Sequence, residues 1–191
     1  GELRLTRDIT PMTSLRVRTS YLDQDYDNVF DGDNSDGRDG DRFDIGLSLR
    51  HSFSPKYRGS VGVAYRQKNV DDDALEAFFA YDFTEANAGF SVFWPKGNYL
   101  NTTLIYRDYE YEGSSTFQRE DSFLYGRASY GVPLNRLFGE RSADVLEKIL
   151  LEGAISYTDR DSTVSTATTE AARNVFDFDN TGAELRLIYR F

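Results

Sequence analysis

The chain has 191 residues, which fits one domain, and a formal charge of −10, which argues against nucleic-acid binding, since that needs a basic stripe. It has no cysteine, so disulfides and thiolate metal sites are excluded, and it has no run of about 18 apolar residues to form a transmembrane helix. Hydrophobic content is only 39%, yet 13 Tyr and 14 Phe are present, which suits strands that are apolar on one face and joined by polar loops.

Gly1 is not an initiator Met and nothing after it reads as a signal peptide, so a processed chain or a fragment is expected. Residues 3–9 form a first extended element. Leu15, Val17, Thr19 and Tyr21 then alternate with Arg16, Arg18 and Ser20, the two-residue period of a strand with unlike faces. Residues 23–41 are a polar loop with eight Asp, in which Asp31, Asp33 and Asp36 are weak candidates for a calcium site. Asp36 falls where an EF-hand loop requires glycine, so a solvated acidic loop is the default expectation.

Phe43, Ile45, Leu47, Leu49, His51 and Phe53 share one face, and after a turn at Pro55 so do Tyr57, Gly59, Val61, Val63 and Tyr65. Asp44, Arg50, Arg58 and Arg66 take the other. The single histidine, His51, reads as an amphipathic ring on the apolar face, not as a catalytic base, and no Ser–His–Asp order is visible. Residues 74–83 are ambiguous, either another strand or a hairpin inside a loop. Alternation resumes at Ala88, Phe90, Val92 and Trp94, and again at Leu100, Thr102, Leu104 and Tyr106, with Arg107 opposite. Leu124, Gly126, Ala128 and Tyr130 follow against Asp121 and Arg127. Residues 132–148 make a long connection whose second half, 142–148, is predicted to be a short helix. Ile149, Leu151, Gly153, Ile155 and Tyr157 oppose Glu152 and Ser156. In the last segment Ala183, Leu185, Leu187, Tyr189 and Phe191 face away from Glu184, Arg186 and Arg190.

Strands of nine to thirteen residues exceed the usual five or six of soluble sheets. Together with short turns alternating with long polar loops, they point to an all-β, antiparallel transmembrane β-barrel of about eight or more strands in a single domain, 1–191, either complete or the C-terminal part of a larger barrel. On that reading Arg16, Arg18, Arg50, Arg58, Arg66, Arg107, Arg127, Arg186 and Arg190 line the inside.

The terminal Phe191, with Tyr189, Leu187 and Leu185 at alternating positions before it, resembles the C-terminal assembly signal of the outer-membrane β-barrel proteins of Gram-negative bacteria. The resemblance implies a place in the bacterial outer membrane, contact with lipid and lipopolysaccharide, recognition by the barrel-assembly machinery, and envelope protein partners. The dipeptides Arg107–Asp108 and Asp159–Arg160 are weakly similar to barrels that follow periplasmic helical repeats in polysaccharide or lipoprotein export. The expected function is a non-enzymatic channel or export conduit for anionic or saccharide substrates, with a plugged structural barrel in an envelope complex as the alternative.

Overall fold

The computed structural model describes residues 1–24, 39–71, 79–112, 119–138, 146, 148–164 and 177–189. These form one antiparallel sheet in which every strand pairs with its neighbours in sequence. The strands are β1 (Glu2–Thr10), β2 (Thr13–Gln24), β3 (Gly40–Ser52), β4 (Tyr57–Lys68), β5 (Tyr81–Phe93), β6 (Tyr99–Tyr111), β7 (Arg119–Pro133), β8 (Ile149–Val164) and β9 (Phe178–Tyr189). A short helix, α1 (Leu134–Phe138), follows β7.

The turns are built by local chemistry. Between β3 and β4 the Ser54 hydroxyl accepts hydrogen bonds from the backbone N–H groups of Lys56 (3.2 Å) and Tyr57 (3.3 Å), a side-chain mimic of a backbone turn. Between β5 and β6 the chain reverses through a 3-10 turn at Pro95–Gly97, with Lys96 at φ 75° and Gly97 at φ 89°. Only glycine takes that second conformation without strain, and a Cβ there would also press on Pro133 at 3.1 Å.

These tight turns fix the register. Val17 pairs with Leu47, Leu47 with Val63, Val63 with Ala86, and Ala86 with Tyr106, so one face carries an unbroken apolar row. Three residues along, Ser20, Asp44, Arg66, Phe83, Tyr109 and Asp121 form a row on the other face.

The expectation of a closed barrel is overturned. Among the described residues β1 pairs only with β2 and β9 only with β8, so the sheet is open. Topology gives the reason. With nine successive antiparallel strands β1 and β9 run in the same direction, so they cannot close the meander with an antiparallel pair. Residues 3–9, expected as a first extended element, belong to β1, a full strand paired with β2 along its length, which makes the number of strands odd. Without closure there is no lumen. The channel or conduit, the plugged barrel, the outer-membrane location, and the partners that presuppose it (lipid, lipopolysaccharide, the assembly machinery and envelope proteins) all fall with it.

Two smaller expectations also change. The end of the ambiguous 74–83 segment belongs to β5, since Tyr81–Phe93 is one continuous strand. A short helix not expected from the sequence forms at Leu134–Phe138, while of residues 142–148 only Leu146, which is helical, and Lys148 are described.

Burial is inverted relative to an ordinary sheet. The apolar face is open, with Val63 at 58%, Ile155 at 65% and Leu185 at 73% exposure. The polar face is crowded and shields Phe83, Asp44, Asp121 and Glu152. Leu150 is also buried, opposite Pro133 and Ile188 on that side.

Candidate functional site

The polar face is where side-chain chemistry concentrates, and it is organised around carboxylates. Asp121, 1% exposed, is the best shielded. Arg119 grips it with two hydrogen bonds, Nε at 2.9 Å and Nη2 at 2.7 Å. Arg160 donates through Nε at 3.1 Å and through Nη2, and the Ser162 hydroxyl adds another donor. Burial alone pushes the Asp121 carboxyl up. The hydrogen bonds from Arg119, Ser162 and Arg160 outweigh it and hold the group below the usual carboxylate range.

Asp44 is the counterpart on β3. It accepts from Ser20 (2.9 Å), Arg42 (3.1 Å) and Arg66. Its burial likewise pushes upward and is overcome by the Arg66 and Ser20 hydrogen bonds, with the charges of Arg66 and Arg42 assisting. Between the two hubs lies Phe83, under the guanidiniums of Arg66 (4.9 Å) and Arg107 (5.5 Å). Arg107 pairs with Glu85 at 2.8 Å and also covers Phe123 at 5.3 Å. The aromatic rings thus seat cations whose charges are matched by acids on adjacent strands.

At the turn end of β6 to β8 the Tyr99 hydroxyl donates to Glu152, which lies 3.5 Å from Arg127. Arg127 reaches on to Glu184 at 3.0 Å, and Arg186 of the same strand also binds Glu184. Gly131 makes this possible, because a Cβ there would sit 2.4 Å from the Tyr99 ring and 2.8 Å from Leu150.

The register puts Arg16, Arg18, Arg50, Arg58, Arg66, Arg107, Arg127 and Arg186 on this one face. They are not equivalent. Arg66, Arg107, Arg127 and Arg186 are ion-paired, Arg18 meets Glu2 at 3.1 Å, and Arg58 lies over Phe93 at 4.9 Å. Arg16 and Arg50 line a recess of about 200 Å³ with Ser14, Ser48, Ser60 and Asn87. Leu185, Leu187 and Tyr189 lie on the apolar face of β9. Arg190, Phe191, Asp31, Asp33 and Asp36 lie outside the described residues, and among the described residues no cluster of His, Cys, Asp or Glu could hold a metal ion. His51 shares a hydrogen bond of 2.8 Å between its Nδ1 and the Thr13 hydroxyl, and its ring meets Phe53 edge-on at 4.7 Å.

Sequence reasoning missed Glu2, Glu85, Arg119, Arg160 and Ser162. The signal was present, since each continues the two-residue alternation past the point where the strands were expected to stop. The polar face defines the molecule as a two-faced antiparallel meander with an internal ion-pair lattice. No family model matches the chain, and no curated protein and no solved structure matches it either.

Proposed function

We propose that the chain works by association and not by catalysis, as a sheet that is extended along an edge by a second copy of itself. The observation that carries this reading is the open sheet: β2 to β8 are paired on both sides, while β1 and β9 each present an outer edge with no strand partner among the described residues. An exposed row of backbone N–H and C=O groups is a template for a further strand.

The sequence of β9 makes a second copy the occupant. Antiparallel pairing of two β9 strands about Leu185 sets Glu184 opposite Arg186 of the other copy, and Ala183 opposite Leu187. Both pairs are complementary, one in charge and one in bulk, and opposite charges facing each other across a ladder each contribute about 0.2–1 kcal/mol. The same two-fold arrangement keeps both apolar faces on one side, so the joined sheet presents a doubled apolar surface and needs it covered in any larger assembly. The ion-pair lattice does not favour catalysis: its hubs, Asp44 and Asp121, are saturated by arginines and held below the usual carboxylate range, and the one histidine is engaged with Thr13.

Sedimentation velocity across a hundredfold concentration range tests the reading. A monomer–dimer equilibrium is expected, lost in Arg186→Glu and retained in Arg186→Lys. Edge amides of β9 should exchange more slowly as the dimer forms. A chain that stays monomeric throughout, or a dimer indifferent to Arg186→Glu, overturns it.

A further inference from the structure

Beyond edge pairing, the polar face holds two cations whose situation differs from that of the rest. On β2 and β3 the register alternates arginine with serine: Ser14 pairs with Arg50 and Arg16 pairs with Ser48. On β4 the same two rows continue as Ser60 and Gly62. Arg16 and Arg50 are therefore diagonal neighbours on adjacent strands, a like-charge arrangement that is unfavourable unless something negative lies between them.

Among the described residues neither arginine forms an ion pair; Asp8 of β1 stands on the same face, opposite Ser14, but pairs with neither. The polar groups that line the recess beside them are the hydroxyls of Ser14, Ser48 and Ser60 and the amide of Asn87, with no acid. In the row beyond that of Arg16, Glu85 is already bound by Arg107 at 2.8 Å and by the Asn87 Nδ2 at 2.9 Å. Asp44, one row further on, is taken by Ser20, Arg42 and Arg66. Gly62 keeps the floor low: a Cβ there would press on the Asn87 side-chain amide at 2.9 Å. Apart from Asp8, the acids that the register places on this face are ion-paired, and the recess offers these two cations only neutral hydrogen-bonding groups.

We infer that Arg16 and Arg50, with Ser14, Ser48 and Ser60, form a binding site for a tetrahedral oxyanion of the phosphate or sulfate type. Guanidinium groups bind such an anion through charge-assisted N–H donors, and serine hydroxyls turn to donate to the oxygens that remain. At about 200 Å³ the recess is smaller than the roughly 300–1,000 Å³ of sites that engulf a whole small molecule. It takes the anionic end group and leaves the remainder of an ester outside. Both arginines are exposed at their outer ends, so an anion enters from solvent without any rearrangement of the sheet. The site lies on the face opposite the apolar row and requires no partner strand.

Titration of the full chain with inorganic phosphate at low ionic strength, followed by calorimetry and by backbone amide shifts, tests this. Saturable binding is expected, with shifts centred on residues 14–16, 48–50 and 60. Arg16→Gln and Arg50→Gln should each weaken it at least tenfold. Arg18→Gln, which removes a cation of the same face already paired with Glu2, should change it less than twofold, and thermal midpoints of all three variants verify that they are folded. A sugar phosphate that binds more tightly than inorganic phosphate identifies an ester as the natural source, while equal or weaker binding identifies the free anion; both support the site. Absence of saturable binding, or equal weakening by Arg18→Gln, which would mean a diffuse field and no site, overturns it.

Discussion

The two ends of the polar face solve the same electrostatic problem in opposite ways. At the loop end, Asp44 and Asp121 sit at the centres of donor clusters, and each guanidinium around them has both an acid and, for Arg66 and Arg119, a ring to lie against. At the turn end of β2 and β3, Arg16 and Arg50 stand among serines. A charge taken out of water is tolerated only when it is paired and hydrogen-bonded, and Asp121 meets that condition on all sides. The exposed arginines meet it through water, which leaves them available. The loop end is consequently a structural lock and the turn end a place where something binds.

The largest test of this contrast removes the lock. Asp121→Asn leaves Arg119 and Arg160 without their shared counter-charge and should destabilise the fold by about 3 kcal/mol, read as a fall in the midpoint of denaturant unfolding. Asp44→Asn should cost less, because its side chain is more accessible than that of Asp121 and water replaces part of the loss. An equal effect of the two would remove the distinction drawn between the hubs.

Packing gives the next test. Gly131→Val drives a side chain into Tyr99 and Leu150 and should cost about 2 kcal/mol while breaking the Tyr99–Glu152 hydrogen bond. Gly153→Ala on the apolar face has nothing within 4 Å of the added carbon, so thermal melts should place it close to the parent. A damaging Gly153→Ala would mean that the open face is covered by something in solution.

Acid sharpens the comparison further. Asp44 and Asp121 are held below the usual carboxylate range, so the stability they contribute is fully present above the unfolded-state carboxylate pKa and is lost as pH falls through their depressed folded values. Unfolding free energy measured against pH should therefore drop on the acid side, and the drop should shrink in Asp121→Asn. The smallest effect belongs to the turn end: Arg50→Gln should shift stability by no more than about 0.5 kcal/mol, since the side chain has no partner to lose.

Much of this was legible from residue order. The strict alternation at Phe43 to Phe53 and at Tyr57 to Tyr65 gave the long hairpin and assigned Leu47 and Val63 to one face and Arg50 and Arg66 to the other, as the register has it. Alternation is a local property, so it survives any global arrangement. The error came from adding strands into a whole. Long two-faced strands were read as a barrel, but there are nine of them in an open sheet, and strand order and closure depend on pairing between distant segments, which no local pattern encodes. For the same reason Asp121 could be placed on the polar face from sequence, while its partner Arg160, 39 residues away, could not be assigned.

The sequence alone therefore determined the faces: which side chains stand together on the apolar side and which on the charged side follows from a period of two and needs no fold. Tertiary structure decided everything that depends on who the neighbour is. It left the sheet open at β1 and β9, turned Asp44 and Asp121 into saturated hubs, and set Arg16 beside Arg50 with only hydroxyls and an amide between them. Charge balance is a sum over neighbours in space, and nine arginines written along a chain do not say which will be ion-paired and which will stand among neutral groups.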